Sequence, residues 1–370
     1  MMKLLYVGDK DIFSRHELGF IAALTNVGSV RVVDISSSKG KVIELGSDSG
    51  VRTISIYPSV MLESLVSNCD AIFVTPRKPL LEVLRHLLKK GEKPSVSLRL
   101  WSIRAAKLRD NLRFRAYEDI LIFLPSVLAN ATYIAFSNFV LTVDHATYVF
   151  ARKVYKLLAS KIYKLYPPYG YVVADKENPV DKEIREQLKD IRDSYILGFT
   201  NLNKKGAYLK FEAKPHAIVF YRIAKRLREV PVVVAGSTIE DWRRVFPQIE
   251  PPKNLHLIGR GFSDNILETL YRKARSVIVP ITNRNISNRF LESLFFGKPI
   301  VTSEIARLIH PELEHGRHLY ISSWDRIVDD AIKVANDEYL LENLAEGAKE
   351  AYARMFSTKI NVLFVEKMLH

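Results

Sequence analysis

A group of polar side chains lies within residues 280–299, where an uncharged apolar run is followed by a loop and a short amphipathic segment. Residues 277–281 predict a buried strand, 282–288 a polar loop, and 289–296 a short helix that ends before Gly297. The first N–H groups of such a helix, together with its dipole, favour an anion at the carboxyl end of the strand. The segment therefore predicts a phosphate-binding corner.

Glu292 lies one turn inside this predicted helix, and Ser287 or Asn288 is a candidate N-cap. A carboxylate in that position can accept hydrogen bonds from the paired hydroxyl groups of a ribose. The alternative is an ordinary surface glutamate in the first turn of a helix. Nucleotide binding is thus one of two interpretations of Glu292 taken by itself.

The same block resembles a known family. Pro280, NRFLESL at 288–294 and GKPIV at 297–301 are similar to the signature of the GT-B glycosyltransferases, in particular the retaining family 4, or glycosyl transferases group 1. Four further segments resemble this family in order and spacing: KKG at 204–206, PVVVAG at 231–236, LHLIGRGF at 255–262 and ILETLYRKARS at 266–276. The resemblance implies an α/β chain with the GT-B fold, in which two Rossmann-like, doubly wound parallel-sheet domains face a cleft.

The resemblance also implies functional roles. Lys205 takes the place of the family's diphosphate-binding lysine, where a positioned cation would stabilise the charge that grows on a departing phosphate. Lys205, Glu292 and Arg284 are the predicted catalytic residues, and Arg289 is a further candidate cation for the diphosphate. The residues predicted to bind the donor nucleotide are Gly236, Arg260, Gly261, Ser287, Asn288, Arg289 and Glu292.

Three positions depart from the family pattern. The family's arginine in the 195–206 region falls on Phe199, and the first glutamate of its Glu-x7-Glu motif falls on Arg284. The histidine expected after the strand at 94–98 is missing, and Arg99 and Trp101 stand there instead. These departures leave open an alternative, a GT-B-fold protein that binds nucleotide sugars or a partner without transferring a sugar.

At 370 residues the chain is longer than one hydrophobic core usually supports, which predicts two domains. The predicted N-terminal, acceptor-binding domain spans residues 1–180 and opens with a strand–helix–strand pattern. A linker is expected near 175–194, and the nucleotide-sugar-binding domain spans 181–357. The family implies that the final helix, 358–370, crosses back to the first domain.

Polar residues follow the first strand, and the resemblance implies that they line the cleft on the acceptor side. The predicted acceptor-side residues are Ser14, Arg15, His16, Arg99 and Trp101. His16 has a simpler alternative, a partly exposed residue at the start of a helix, because the sequence shows no partner for it.

The chain carries 55 Lys and Arg against 41 Asp and Glu, a net charge of +14, which favours anionic partners. Six of the cations fall within residues 99–115, interleaved with Trp101 and Phe114. This basic segment predicts either docking on an anionic membrane or a solvated helix face. Nucleic acid is not expected as a partner, because no nucleic-acid motif accompanies the charge.

An uncharged run at 120–143 has the length of a membrane span, but Pro125 and several polar residues interrupt it. A buried helix and strand explain these interruptions better.

Cys69 is the only cysteine, so no intrachain disulfide is expected and a reducing cytoplasm fits. The first apolar run, 4–7, is too short for a signal peptide. The predicted location is cytoplasmic, with peripheral binding to the inner membrane face as an option.

Together these features predict a glycosyltransferase that takes a sugar from a nucleoside-diphosphate sugar and gives it to a glycan or lipid-linked acceptor. Retention of the anomeric configuration is implied by the resemblance alone. No DxD motif or cluster of metal-ligating residues is recognised in the sequence, so neither a metal nor another cofactor is expected.

Overall fold

The structure is a computed structural model that describes residues 1–90, 94–100, 123–173, 179–191, 194–282 and 287–370. The chain divides into two compact units. The first is formed by Met1–Val173 with Ala353–His370, and the second by Ala174–Tyr352. Trp101, Arg284 and the part of the basic segment beyond residue 100 lie outside the described residues.

The first unit is built on a mixed sheet. Its strands, in chain order, are β1 (Lys3–Gly8), β2 (Ser29–Asp34), β3 (Lys41–Ser47), β4 (Gly50–Pro58), β5 (Ala71–Val74), β6 (Ser95–Leu100), β7 (Phe139–Thr142), β8 (Ile162–Lys164) and β9 (Gly170–Val172). Their order across the sheet is β8-β7-β6-β5-β1-β2-β4-β3-β9. The strands from β8 to β4 pair in parallel, whereas β3 runs antiparallel to β4 and β9.

Both faces of this sheet are covered by apolar side chains. In β1, Leu5 and Val7 enter one hydrophobic cluster, while Leu4 and Tyr6 enter the cluster on the opposite face. This alternation follows from the two-residue period of a strand, and burial on both faces explains the uncharged runs in the sequence. The helices of the unit up to residue 173 are α1 (Arg15–Val27), α2 (Leu62–Val66), α3 (Lys78–Lys90), α4 (Phe123–Phe136) and α5 (His145–Val154).

The uncharged run at 120–143 forms α4 and β7 within the described residues, which confirms the predicted helix and strand. In the parts of the chain that the structure describes, no helix is long and apolar enough to cross a membrane.

The antiparallel hairpin of β3 and β4 was not predicted from the sequence. Ser47 pairs with Gly50 across a two-residue turn. Gly50 has a φ of +101°, a conformation that glycine adopts without steric cost. The Asp-Ser-Gly turn at 48–50 was the local signal for this hairpin.

The second unit contains a parallel sheet. Its strands are β10 (Tyr195–Phe199), β11 (Val232–Ala235), β12 (Leu255–Ile258), β13 (Ala274–Val279), β14 (Ile300–Ser303) and β15 (Tyr320–Ser322), in the order β12-β11-β10-β13-β14-β15. The helices, in chain order, are α6 (Pro179–Lys189), α7 (Lys214–Arg226), α8 (Ile239–Val245), α9 (Asp264–Lys273), α10 (Asn288–Phe295), α11 (Ala306–Ile309), α12 (Ile327–Asn336) and α13 (Glu338–Ala351). A helical turn (Gly206–Tyr208) and a π-helical turn (Leu209–Ala213) lead into α7.

The strand order of the second sheet reverses at β10. The chain moves outward from β10 through β11 to β12, and then returns to the other side of β10 with β13. In doubly wound sheets, ligands bind outside the carboxyl ends of the strands at such a switch point. The topology of this unit therefore predicts a ligand-binding site at the carboxyl ends of β10 and β13.

Two segments differ from the sequence-based predictions. The expected linker near 175–194 contains α6, whose Ile184 and Leu188 are buried. The segment 266–276, which resembles a helix of the family, is helical as α9 only up to Lys273, and residues 274–276 already belong to β13. Pairing of these residues with β10 outweighs their local helical pattern.

The C-terminal helix, α14 (Thr358–Leu369), is part of the first unit and packs against α1. Its Thr358 N–H donates to Asp48 Oδ2 over 2.9 Å. Buried Asn361 donates from Nδ2 to the carbonyl of Tyr166 over 2.9 Å. These bonds fix both the start and the first turn of α14 on the first unit.

Candidate functional site

The carboxyl ends of β10 and β13 lie side by side, because Gly198 pairs in parallel with Ile278. Phe199 is thus brought next to the strand end that precedes Pro280. The predicted phosphate-binding corner and the segment with Lys205 therefore meet at the switch point, although about 80 residues separate them in the chain.

The loop after β10 is held by Ser237, whose side chain is fully buried. Its hydroxyl donates to the carbonyl of Thr200 over 2.8 Å and accepts from the N–H of Leu202 over 3.0 Å. Gly236 has a φ of +100°, and a Cβ there would lie 2.6 Å from the Thr200 carbonyl oxygen. Only glycine allows the ends of β10 and β11 to approach so closely. Gly236 is therefore a structural requirement of the loop that carries Lys205.

Lys205 is exposed and occupies the N-cap position of the helical turn Gly206–Tyr208. Arg260 follows β12 and reaches the same loop, with Nη1 3.4 Å from Asn201 Oδ1. The amide oxygen of Asn203 can also turn to accept from this guanidinium. The structure thus brings Arg260 to the loop of Lys205, while Gly261 beside it adopts a φ of +84°.

Glu292 is 1% exposed, and its carboxylate already has two donors. Tyr271 Oη lies 2.8 Å from Glu292 Oε2, and Arg289 Nη1 lies 2.7 Å from the same oxygen. Burial and the Glu292 charge raise the pKa of Tyr271 well above its usual value, so the phenol keeps its proton. Glu292 is therefore no ordinary surface glutamate. Its predicted contact with a ribose stays a prediction.

Tyr271 was not identified as a site residue from the sequence. It belongs to α9, within the segment that resembles the family's helix, and is fully buried. Its hydroxyl also lies 3.2 Å from the carbonyl of Arg289, and its ring stacks 5.7 Å from that of Phe199. The sequence signal for Tyr271 was its place in a segment that resembles the family. Its partner, Glu292, could be identified only from the folded structure.

Arg289 lies over the ring of Phe199, with its guanidinium carbon 4.2 Å from the ring centroid. This distance is within the range of cation–π attraction. The position at which the family's arginine is missing is thus covered by another arginine, supplied from α10.

One of the two predicted cap residues lies at the start of α10. Ser287 occupies the N-cap position, but its side chain makes no capping hydrogen bond. Its carbonyl accepts from the N–H groups of Phe290 and Leu291 over 3.0 and 3.2 Å. Asn288 is the first residue of the helix rather than its cap. Backbone geometry instead of a polar side chain therefore starts α10.

The acceptor-side candidates belong to the first unit. Ser14 is the N-cap of α1, and its Oγ lies 3.3 Å from His16 Nε2. The same nitrogen lies 3.9 Å from Glu17 Oε1, so His16 has a partner that the sequence did not reveal. Arg15 opens the helix beside them. The structure thus brings Ser14, Arg15 and His16 together at the start of α1.

Arg99 is fully buried instead of facing solvent. Its Nη2 lies 3.0 Å from Glu17 Oε1, its Nε lies 3.3 Å from Oε2, and the guanidinium carbon lies 3.9 Å from the centroid of Phe20. The Tyr6 hydroxyl also donates to Glu17. Although burial alone would raise the pKa of Glu17, the charges of Arg99 and His16 hold it below its usual value. Arg99 is thus part of a buried ionic network next to His16.

Among the described residues, no group of three or more His, Cys, Asp or Glu side chains is arranged to hold a metal ion. The expectation of metal independence stays a prediction.

Comparison with solved structures confirms the predicted fold class. Anabaena HepE in complex with UDP and glucose aligns with a TM-score of 0.65 at 13% identity, over 100% of this chain and 99% of that one. Sucrose-phosphate synthase from Thermosynechococcus elongatus gives 0.65 at 12% identity, over 100% and 98%. An α,α-trehalose-phosphate synthase (UDP-forming) from Burkholderia xenovorans gives 0.59 at 10% identity, over 99% of both chains. These likenesses show that the fold is GT-B.

A family model also matches part of the chain. Residues 195–337 match the family Glycosyl transferases group 1. No curated protein matches the sequence. The matched segment contains β10 to β15, and thus both strand ends that meet at the switch point.

Proposed function

We propose that this protein is a glycosyltransferase that takes its sugar from a UDP-sugar. The observation that carries the proposal is the switch point between β10 and β13, where Lys205, Arg289 and Glu292 lie on the segments that follow the two strand ends. Similar structures contain UDP, UDP-glucose or UDP-2-fluoro glucose, which supports uracil as the base. A basic lysine and arginine beside a helix N-terminus suit the two negative phosphates of such a donor.

Within this site we assign roles to the residues. Glu292 accepts hydrogen bonds from the ribose, and Arg260, Gly261 and Gly236 border the nucleotide. Lys205 stabilises the negative charge that develops on the diphosphate as it leaves. The lysine would therefore act mainly in the transition state, where this charge is largest.

The acceptor is a glycan or a lipid-linked molecule held by the first unit. Ser14, Arg15 and His16 at the start of α1 provide a hydroxyl and two nitrogen-containing side chains for an oxygen-rich acceptor. Retention of configuration, which rests on the family resemblance, is a further part of the proposal. Independence of a metal is another, and it rests on the lack of a recognised DxD motif in the sequence. The cations of the basic segment 99–115 other than buried Arg99 would bring the enzyme to anionic lipid on the cytoplasmic face of a membrane.

One alternative is supported by a specific observation. Phe199 stands at the position of the family's arginine, and Arg284 at that of its first glutamate. A GT-B protein that binds a nucleotide sugar without transferring it would tolerate both changes.

The test begins with binding. Calorimetric titration of the full chain with UDP, GDP, ADP and TDP should show a preference for UDP. Mass spectrometry of UDP-sugars incubated with candidate glycan and lipid-linked acceptors then detects the transferred sugar, and proton NMR of the product gives its anomeric configuration. Binding of no nucleoside diphosphate would refute the donor site. Binding without transfer or hydrolysis of any bound donor would favour the alternative.

A further inference from the structure

Phe199 and Arg289 form a contact that neither the family pattern nor the sequence alone would suggest. They are 90 positions apart in the chain, yet the guanidinium carbon lies 4.2 Å from the ring centroid. Phe199 ends β10, where the resemblance places an arginine, and Arg289 lies in the first turn of α10. The cation that is absent from β10 thus has a counterpart at the same place in space.

The structure holds Arg289 from two directions. Glu292, one turn further along α10, accepts from Nη1 over 2.7 Å, and its own burial makes this an ion pair with little access to water. Tyr271 donates to the same carboxylate and stacks on Phe199. One buried residue therefore positions both Glu292, which pairs with the guanidinium, and Phe199, over which the guanidinium lies. Two independent contacts restrict the guanidinium to one plane, which is the preorganisation that a binding group requires.

Arg289 is nevertheless accessible to a ligand, since 36% of its side chain is exposed. It also lies near the turn that follows Lys205. Burial and Glu212 raise the pKa of Tyr208 to about 12, while the positive charge of Arg289 acts in the opposite direction. Because Arg289 lies over Phe199, and the loop with Lys205 follows Phe199 in the chain, both cations belong to the carboxyl edge of the sheet.

We infer that Arg289 supplies the diphosphate-binding cation that the family carries at the position of Phe199. Phe199 is the aromatic surface on which the guanidinium rests, and Glu292 is a positioning residue for it. A guanidinium presents five N–H donors in a planar fork that matches phosphate oxygens, so this arrangement would bind the diphosphate directionally. The inference rests on the proposed donor site. It places Arg289 beside Lys205, which keeps its proposed role on the departing diphosphate.

The test uses nucleotides that differ only in their phosphates. Uridine, UMP and UDP are titrated into wild type and Arg289→Ala by calorimetry. Losing a charge-assisted contact should weaken UDP binding about ten- to a hundredfold. Uridine binding should change by no more than about twofold, since the base and ribose contacts remain. Arg226→Ala is the matched control. Arg226 is the last residue of α7, and it pairs with Asp329, which is half-exposed.

The decisive arm is a rescue. Phe199→Arg in the Arg289→Ala background returns a guanidinium to the family's position and should restore most of the lost UDP affinity. If Arg289→Ala fails to fold, Arg289→Gln makes the same comparison, because its amide can still donate to Glu292 without the charge.

The outcomes separate the inference from the proposed function. Equal weakening of uridine, UMP and UDP would show that Arg289 only supports the fold of the site, and unchanged UDP affinity would overturn the inference directly. In both cases wild type still binds UDP, and the proposed function stands. If wild type prefers another base, the series is repeated with that nucleoside and its phosphates. If wild type binds no nucleoside diphosphate at all, the proposed donor site fails together with the inference.

Discussion

Removing one partner of the Arg99–Glu17 pair should destabilise the first unit. Both side chains are 0% exposed, and Tyr6 donates to the same carboxylate. Arg99 without Glu17 would be buried without its counter-ion, and Glu17 without Arg99 would lose its direct ion pair and retain His16 at 3.9 Å. Arg99→Met and Glu17→Gln each test this, since both substitutions approximately keep the side-chain length.

The expected cost follows from the geometry. Breaking a buried pair of this kind costs about 3–5 kcal/mol. Arg99→Met also loses the contact of the guanidinium with Phe20, worth about 0.5–2 kcal/mol. Whole domains are stable by only about 5–15 kcal/mol, so either change removes a large fraction of the stability of the unit. The double variant has no buried charge at this site, and its cost should fall about 2 kcal/mol or more below the sum of the single costs.

Hydrogen exchange measured by mass spectrometry is the suitable assay, because it reports the two units separately. Peptides from β1 and α1 should lose protection in the single variants, while peptides from β10 and β13 in the second unit should keep it. Arg226→Met is the matched control, because its partner Asp329 and Arg226 itself are each 53% exposed. Such a surface pair contributes no more than about 1 kcal/mol.

The pH dependence has a definite sign. Since the folded pKa of Glu17 is lowered, its contribution to stability is fully present above the unfolded value of about 4.3. This contribution is lost as the pH falls through the lower folded pKa. The difference in stability between wild type and Glu17→Gln should therefore shrink in acid. Additive costs in the double variant, or single-variant costs below about 1 kcal/mol, would refute the coupling.

Three further predictions concern the proposed activity. Glu292→Gln should weaken UDP binding by about 1.5–3 kcal/mol with the fold intact, as measured by calorimetry and circular dichroism, and an unchanged titration would remove the assignment. Lys205→Ala should lower kcat by about ten- to a hundredfold and change KM less, because the charge it stabilises grows during departure of the diphosphate; wild-type turnover would contradict this. Changing Arg104, Lys107 and Arg109 to Glu should abolish salt-sensitive co-sedimentation with anionic vesicles, whereas equal pelleting of wild type with neutral and anionic vesicles would leave only the solvated-face interpretation.

Local sequence patterns were sufficient to predict part of the secondary structure of the second unit. The uncharged run at 277–281 predicted the second half of β13, residues 277–279, because strands buried on both faces need no polar alternation. Gly297 marked the end of α10, and it adopts a φ of +59°, which other residues rarely accept. The hairpin of β3 and β4 was missed although its turn carries a local signal, while the exact start of β13 depended on pairing with β10.

The sequence by itself determined that the chain is an α/β protein with a short helix after β13, since these features depend on residues close together in the chain. Only the tertiary structure decided which side chains meet there. Tyr271 reaches Glu292 across 21 positions, Arg289 covers Phe199 across 90, and Arg99 pairs with Glu17 across 82. Each contact depends on the order in which strands assemble into a sheet, and that order is set by the packing of whole elements, which local periodicity does not encode.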